Sequence, residues 1–128
     1  MVVAVIGSRD YKNAKLVRDY IASLEPGTKV ISGGASGPDT WAIIHAKACG
    51  LPHEEFRADW DDLTQPGAII VTRPNGSKYD KTAGHRRNVI LAQQADKVEA
   101  FWDGVSRGTM DTVSMAKKLK KQVMVIKN

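Results

Sequence analysis

The ten residues from Val30 to Asp39 constrain the fold of this chain more than any other segment. Their sequence, VISGGASGPD, places two β-branched residues before three glycines and a proline. β-Branched residues favour a buried strand, and glycine allows the tight turn and the close ligand approach that follow it. Proline suits the first turn of a helix, whose N-terminus can hold a phosphate. The segment predicts an anion-binding strand–turn–helix unit, although an ordinary glycine-rich connection would show the same pattern.

Strand and helix patterns alternate along most of the chain. Continuous apolar runs are typical of strands buried on both faces, and apolar residues at helical spacing predict the helices between them. The predicted strands cover residues 2–6, 29–32, 53–56, 98–101 and 123–126, and the predicted helices cover residues 13–24, 38–49, 85–95 and 109–120. This alternation predicts a Rossmann-like three-layer α/β/α fold with a mostly parallel sheet of about five strands.

Residues 68–80 interrupt the alternation. A β-branched run there is followed by Asn75-Gly76, which is typical of a tight hairpin turn. We therefore expect a β-hairpin inserted between the third strand and the next helix, where it can serve as a lid or a subunit contact. Because the chain has no linker and no repeat, residues 1–128 are predicted to form one nucleotide-binding domain.

The composition is that of a globular protein with a net positive charge. The net charge is +5 and the sequence pI is about 9.4, which suits anionic ligands or nucleic acid. Part of this charge comes from Lys117, Lys118, Lys120 and Lys121. We interpret these lysines as solvated side chains at a helix C-terminus, where their charge interacts favourably with the negative end of the helix dipole, in preference to a DNA-binding patch.

The composition also excludes several classes of protein. No apolar run approaches the ~18 residues of a membrane span, and the N-terminus lacks the basic flank of a signal peptide. Cys49, the single cysteine, excludes an intrachain disulfide, fits a reducing compartment and is expected to be a buried, inert thiol. His53 and His85 show no metal-ligand spacing. We therefore expect a cytoplasmic protein with no metal, no cofactor and no membrane contact.

Glycine and polar residues follow three of the predicted strands. Gly7-Ser8-Arg9 follows the first strand, the glycine turn follows the second, and Asp103-Gly104 follows the fourth. Because parallel sheets bind ligands at the carboxyl ends of their strands, we expect these segments to form one site. Trp60 and Trp102 are interpreted as core aromatics, with base stacking as the alternative for Trp102.

Five motifs occur in a defined order: GSR at Gly7, GGASGPD at Gly33, ADW at Ala58, AGHRRN at Ala83 and FWDGVSRGT at Phe101. Together they resemble the SLOG superfamily, named for the Smf/DprA and LOG proteins, and most of all the small YpsA/YspA-like SLOG proteins of bacteria and phages. The resemblance covers nearly the whole chain apart from the hairpin. It implies a Rossmann-like domain that binds a nucleotide-derived molecule, and it implies a homo-oligomer.

The motifs and the strand ends together define one set of candidate ligand-binding residues. These are Gly7, Ser8, Arg9, Gly33, Gly34, Ala35, Ser36, Gly37, Asp39, Arg87, Asn88, Trp102, Asp103, Gly104, Arg107, Gly108 and Thr109.

The LOG branch hydrolyses nucleoside monophosphates, and the resemblance therefore raises the question of catalysis. Arg87 matches the arginine of the LOG pattern, and residues 108–109 match its GT pair. The position of the LOG glutamate holds Thr112, which cannot act as a carboxylate. Asp111 is adjacent, but one residue along a helix turns the side chain by about 100°. The candidates for catalysis are therefore Arg87, Asp39 and Asp111.

Three functions are compatible with these patterns. The leading hypothesis is a protein that senses, sequesters or carries a nucleotide-derived ligand such as an ADP-ribose-like molecule. The alternatives are an N-glycoside hydrolase (phosphoribohydrolase) acting on nucleoside monophosphates and a protein that binds single-stranded nucleic acid, as DprA relatives do. Because Thr112 replaces the LOG glutamate, we expect binding in preference to catalysis.

Overall fold

The computed structural model describes residues 1–127, in which strands and helices alternate as the sequence predicts. In chain order the elements are β1 (Val2–Gly7), α1 (Ala14–Ala22), β2 (Lys29–Ser32), α2 (Pro38–Ala48), β3 (His53–Glu55), β4 (Ile70–Thr72), β5 (Lys78–Asp80), α3 (Ala83–Gln94), β6 (Lys97–Trp102), α4 (Arg107–Lys118) and β7 (Gln122–Lys127). The boundaries of the helices differ from the prediction by no more than two residues.

Five strands form one parallel sheet in the order β3-β2-β1-β6-β7. The central strand β1 pairs with β2 on one side and with β6 on the other, so that Val3 lies opposite both Val30 and Lys97. The strand order reverses between β1 and β6. In open α/β sheets the crevice at such a reversal, beyond the carboxyl ends of the strands, is where ligands bind. The predicted Rossmann-like α/β fold is confirmed.

Two apolar layers enclose the sheet. On one face Val3 and Val5 of β1 pack with α1 and α2, and on the other face Ala4 and Ile6 pack with α3 and α4. Both faces of β1 are therefore buried, which explains why its sequence is continuously apolar. Across residues 1–127, no helix is long and apolar enough to cross a membrane.

The glycine turn forms as predicted, because glycine and proline occupy the positions with special backbone geometry. Gly37 precedes α2 with φ +88°, and Pro38 is the first residue of the helix. Gly7, at the end of β1, lies directly against Pro38, and a Cβ built on Gly7 would lie 2.7 Å from the Phe101 carbonyl oxygen. Glycine at this position lets the end of β1 and the start of α2 meet.

The predicted hairpin is confirmed as the antiparallel ribbon β4–β5. The Asp80 carboxylate, which is fully buried, fixes the base of the ribbon by accepting hydrogen bonds from the Ile69 and Thr82 backbone N–H groups and from the Thr82 hydroxyl, and by pairing with Arg86. The ribbon is thereby joined to the first turn of α3.

Two predicted burial states are wrong. Cys49 is exposed, because it caps the last turn of α2 at the end of the helix. Trp60 is 41% exposed, because it lies in the loop after β3 and packs edge-on against Tyr79, with 6.3 Å between the ring centroids. Trp102, the other predicted core aromatic, is partly buried.

Substitution of Gly7 by alanine tests the close approach of β1 and α2. We expect Gly7→Ala to lower the free energy of unfolding by about 1–3 kcal/mol, because the added methyl group overpacks the contact with Pro38 and Phe101. Gly108→Ala is the control, since nothing lies within 4 Å of a Cβ at Gly108. Urea titrations of the two variants measure the effect, and equal stability of Gly7→Ala and the parent protein would contradict this packing.

Candidate functional site

A cavity of about 190 Å³ lies at the carboxyl end of β1, between the first turns of α2 and α4 and the second and third turns of α3. It lies at the reversal of strand order, where the topology places a ligand. We call it the central cavity. Its lining residues are Ile6, Gly7, Arg9, Ala35, Asp39, Arg87, Asn88, Leu91, Ser106, Gly108, Thr109 and Thr112.

The carboxylate of Asp39 fixes one wall of the central cavity. Its Oδ1 accepts a hydrogen bond from the Gly7 N–H at 3.0 Å, and its Oδ2 accepts one from the Gly33 N–H at 2.8 Å. Asp39 is 4% exposed, and this burial raises its pKa to about 6, although the N–H donors and nearby Arg87 act in the opposite direction. Asp39 braces the two strand ends, which is one of the roles its position at the helix start permits.

Arg87 reaches across the cavity from the second turn of α3. Its guanidinium donates to the Gly33 carbonyl oxygen and, through Nε, to the Asn88 side chain at 3.0 Å. Burial lowers the pKa of Arg87, while the charge of Asp39 raises it. Arg87 therefore holds the glycine turn in place and still presents a partly buried cation to the cavity.

Arg9 provides the second cation of the central cavity. It follows β1, lines the cavity and is exposed. Within residues 1–127 its guanidinium has no hydrogen-bond or ion-pair partner. Its charge is therefore free to meet an anion at the mouth of the cavity.

A network of hydroxyl groups connects β1 to α4. The buried Ser8 hydroxyl accepts a hydrogen bond from the Asp103 N–H at 3.1 Å and lies 3.3 Å from the Thr109 hydroxyl. The Asp103 carboxylate accepts from the Val105 and Ser106 N–H groups, and these bonds lower its pKa. The loop after β6 is thereby fixed before α4 begins.

Two helix N-termini, those of α2 and α4, border the central cavity without side-chain caps. The backbone N–H groups in their first turns donate no hydrogen bond to the side chain of the residue that precedes each helix. By contrast, Asn13 caps α1 by accepting from the Leu16 N–H at 3.3 Å. Uncapped first turns leave N–H donors and a partial positive charge for an anion.

A wider, open groove continues from the central cavity over α3. It has a volume of about 570 Å³ and shares Arg87, Asn88 and Gly108 with the cavity. The remaining residues that line the groove are Trp60, Lys81, Gly84, His85, Arg107 and Asp111. Gly84 lets the Trp60 ring lie close to α3, since a Cβ built on it would come within 2.9 Å of that ring.

The structure places about half of the predicted ligand-binding residues around the central cavity. Those that line it are Gly7, Arg9, Ala35, Asp39, Arg87, Asn88, Gly108 and Thr109. Those that do not line it are Ser8, Gly33, Gly34, Ser36, Gly37, Trp102, Asp103, Gly104 and Arg107. Ser8, Gly33 and Asp103 support the frame through hydrogen bonds, and the Trp102 indole donates to the Ser106 carbonyl at 3.0 Å.

Four lining residues are absent from the predicted ligand-binding set: Ile6, Leu91, Ser106 and Thr112. Ser106, Thr109 and Thr112 recur every three residues, so they lie on one side of α4. This spacing was a signal available in the sequence. Ile6 and Leu91 carried no signal that distinguished them from other core residues.

Among the catalytic candidates, Asp111 lies outside the central cavity. Its Oδ2 accepts a hydrogen bond from the Asn88 side chain at 3.1 Å and lies 2.8 Å from His85 Nδ1. Asp111 and Thr112 are neighbours on α4, and one residue along a helix rotates the side chain by about 100°, which explains why Thr112 lines the cavity and Asp111 does not. Among residues 1–127 no group of three His, Cys, Asp or Glu side chains could hold a metal ion.

Comparison with known proteins gives a family match over the whole sequence. The model of the family described as DNA recombination-mediator protein A matches residues 1–128. DNA processing protein A (DprA) from Streptococcus pneumoniae superimposes with a TM-score of 0.74 at 25% sequence identity, over 96% of this chain and 49% of that protein. No curated protein matches the chain significantly.

A second solved structure gives the same fold. DNA processing protein A from Helicobacter pylori, which was determined to describe its single-stranded DNA binding mode, superimposes with a TM-score of 0.67 at 21% identity. The match covers 98% of this chain and 64% of that protein. This chain therefore spans about half to two thirds of the length of these two relatives.

Replacement of Asp39 by asparagine tests the buried carboxylate. Its pKa rises from an ordinary 3.8 to about 6 on folding, so between these values the folded protein binds a proton that the unfolded chain releases. Asp39 therefore makes the protein less stable as the pH rises through this window, by roughly 2–3 kcal/mol. Unfolding by urea at a series of pH values should show this loss in the parent protein relative to Asp39→Asn. Parallel pH profiles would contradict it.

Proposed function

Because the chain belongs to the DNA recombination-mediator protein A family, we propose that it binds single-stranded DNA, with a phosphate of the strand held at the central cavity. DprA proteins are members of the SLOG superfamily, so the superfamily indicated by the sequence motifs is confirmed. The leading hypothesis from the sequence, a small nucleotide-derived ligand, becomes the second candidate.

The observation that carries this proposal is the convergence of two arginines and two uncapped helix ends on one cavity. Arg9 and Arg87 supply positive charge, and the first turns of α2 and α4 supply backbone N–H donors. Phosphate is the group in nucleic acids that such donors recognise, because its oxygens accept several hydrogen bonds and carry charge.

The open groove provides a path for the strand beyond the cavity. Arg107 and Lys81 lie along this groove, so a second phosphate can meet positive charge there. Trp60, which is 41% exposed, offers an aromatic face in the same groove. Unpaired bases stack on exposed aromatic rings, whereas the bases of a duplex are already stacked on each other. This combination favours a single strand.

The family and the charge of the chain support the same partner. The H. pylori DprA binds single-stranded DNA, and its fold superimposes on 98% of this chain. The net charge of +5 favours association with a polyanion. Affinity for DNA should accordingly fall as the salt concentration rises, because counterions are released when phosphates bind.

Arg9→Ala tests the phosphate contact. We expect the substitution to weaken binding of a fluorescent single-stranded oligonucleotide about tenfold or more, because a charge-assisted hydrogen bond is worth about 1.5–3 kcal/mol. Fluorescence anisotropy measures the affinity. Arg87→Ala should weaken binding as well, but it also frees the Gly33 carbonyl, so its thermal stability is measured in parallel.

Arg18→Ala is the matched control for Arg9→Ala. Arg18 is also exposed, but it lies on α1, where it pairs with Asp19 at 3.3 Å. Its removal changes the net charge by the same amount without touching the cavity. If Arg9→Ala and Arg18→Ala reduce the affinity equally, general charge and not the central cavity governs binding, and the proposed site is wrong.

Binding of a nucleotide-derived small molecule is the second candidate function. The observation that favours it is the small size of the central cavity, whose volume of about 190 Å³ suits part of a mononucleotide better than a length of polymer. Native mass spectrometry of the freshly purified protein tests this candidate, since a retained small molecule would appear as an added mass.

We expect no hydrolysis of nucleoside monophosphates. Thr112 lines the cavity but supplies no carboxylate. Both carboxylate oxygens of Asp39 accept hydrogen bonds from backbone N–H groups. Asp111 contacts His85 and Asn88 outside the cavity. Incubation of purified protein with AMP, followed by chromatography for free adenine, measures the activity. Sustained release of adenine that Arg87→Ala abolishes would refute this expectation.

A further inference from the structure

We propose that one face of the β4–β5 ribbon extends the binding surface for the single strand, and that an unpaired base stacks there on the guanidinium of Arg73. This inference rests on the proposed function, since it continues the path of the same strand beyond the open groove. Its basis is the arrangement of Arg73, Tyr79 and Lys81, which lie on one face of the ribbon and lead to Trp60 in the groove.

The pairing of β4 with β5 determines which side chains share a face. Arg73 lies opposite Ser77, and its N–H donates to the Ser77 carbonyl oxygen at 2.8 Å. Successive side chains of a strand point to opposite faces, so Tyr79 and Lys81 lie on the same face as Ser77. Lys78 lies on the other face. The ribbon therefore presents two cations and an aromatic ring on a single face.

Direct contacts connect this face to the open groove. Trp60 and Lys81 line the groove, and the Lys81 N–H donates to the Ile69 carbonyl oxygen at 3.0 Å, which continues the pairing of the ribbon up to the groove. The Trp60 ring packs edge-on against Tyr79, with 6.3 Å between the centroids, and the guanidinium carbon of Arg73 lies 4.4 Å from the Tyr79 centroid. A row of planar groups thus runs from the groove along the ribbon.

The Arg73 guanidinium is held in an orientation that suits stacking. It lies over the Tyr79 ring, and its Nη1 donates to the Ser77 hydroxyl at 3.2 Å. The ring covers one planar face of the guanidinium. The opposite face can accept a base, because unpaired bases stack on guanidinium planes as well as on aromatic rings. Arg73 and Trp60 are therefore two stacking positions on one path.

The charge of the ribbon matches a polyanion. Residues 68–81 contain three basic residues, Arg73, Lys78 and Lys81, and one acidic residue, Asp80. Asp80 is fully buried and pairs with Arg86. Within residues 1–127 none of the three basic side chains has a salt-bridge partner. The surface of the ribbon is therefore cationic, and phosphates on either side of a stacked base meet positive charge.

The acidic residues beside Trp60 determine on which side of it the strand passes. Asp59, Asp61 and Asp62 are its neighbours in the sequence, and none of them lines the open groove. Asp59 lines a separate pocket of about 180 Å³, and Asp62 accepts hydrogen bonds from Thr64. Because carboxylates repel phosphates, we expect the strand on the side of Trp60 that faces the groove and the ribbon.

Oligothymidylates of increasing length test the inference in fluorescence anisotropy. Affinity should rise with length until the strand spans the groove and the ribbon. Two strands are then compared: the shortest that binds measurably and one at which affinity no longer rises. We expect Arg73→Ala to weaken binding of the long strand about tenfold, which is the order of affinity that stacking of one base contributes. Binding of the short strand should be unchanged.

Two further variants separate stacking from charge. Lys78→Ala is the matched control, since it removes one positive charge from the opposite face of the same ribbon, and it should weaken binding of the long strand much less. Arg73→Lys keeps the charge beside Tyr79 but removes the planar group, so it should retain most of the defect of Arg73→Ala.

Several results would overturn the inference. Equal losses in Arg73→Ala and Lys78→Ala would show that general charge governs binding. Equal losses for the short and long strands in Arg73→Ala, full affinity in Arg73→Lys, or affinity that does not rise with length would each exclude a base stacked on the ribbon. In these cases binding of the short strand would leave the proposed function standing. Absence of binding by every strand would overturn both.

Discussion

The carboxylate of Asp39 is the interaction on which the rest of the site depends. It joins the N–H groups of Gly7 and Gly33, and thus the carboxyl ends of β1 and β2, to the first turn of α2. Burial of the carboxylate is unfavourable, as its raised pKa shows, and the two N–H donors and Arg87 offset that penalty. The glycine turn keeps its shape because this pair of hydrogen bonds and the bond from Arg87 to Gly33 hold it from both sides.

Within this frame, the groups that could bind an anion remain without internal partners. Asn13 caps α1, which does not line the cavity, whereas α2 and α4 begin without a side-chain cap where they border it. The Arg9 guanidinium makes no hydrogen bond within the described part of the chain. A rigid frame with unpaired donors is preorganised for a ligand, because little conformational entropy is lost on binding.

The β4–β5 ribbon is coupled to this frame through a second buried carboxylate. Asp80 pairs with Arg86, and the next residue along α3 is Arg87 of the central cavity. The exposed Trp60 packs against Tyr79 of β5 and borders the open groove. The ribbon therefore extends the surface beside the site, and its base is fixed to α3 by several hydrogen bonds.

The sequence by itself determined the strands and helices, the glycine turn and the hairpin, because β-branched runs, helical spacing and turn residues act over a few neighbouring positions. It also indicated that Gly7, Gly33 and Asp103 would meet, since parallel strands end at one edge of a sheet. Only the tertiary structure decided that Ile6, Leu91 and Thr112 line the cavity, that Asp111 lies outside it and that Trp60 is exposed. The physical reason is that these properties depend on how separate elements pack: Asp39 meets Gly7 across 32 residues of chain, and no local pattern records the rotation of α3 and α4 against the sheet.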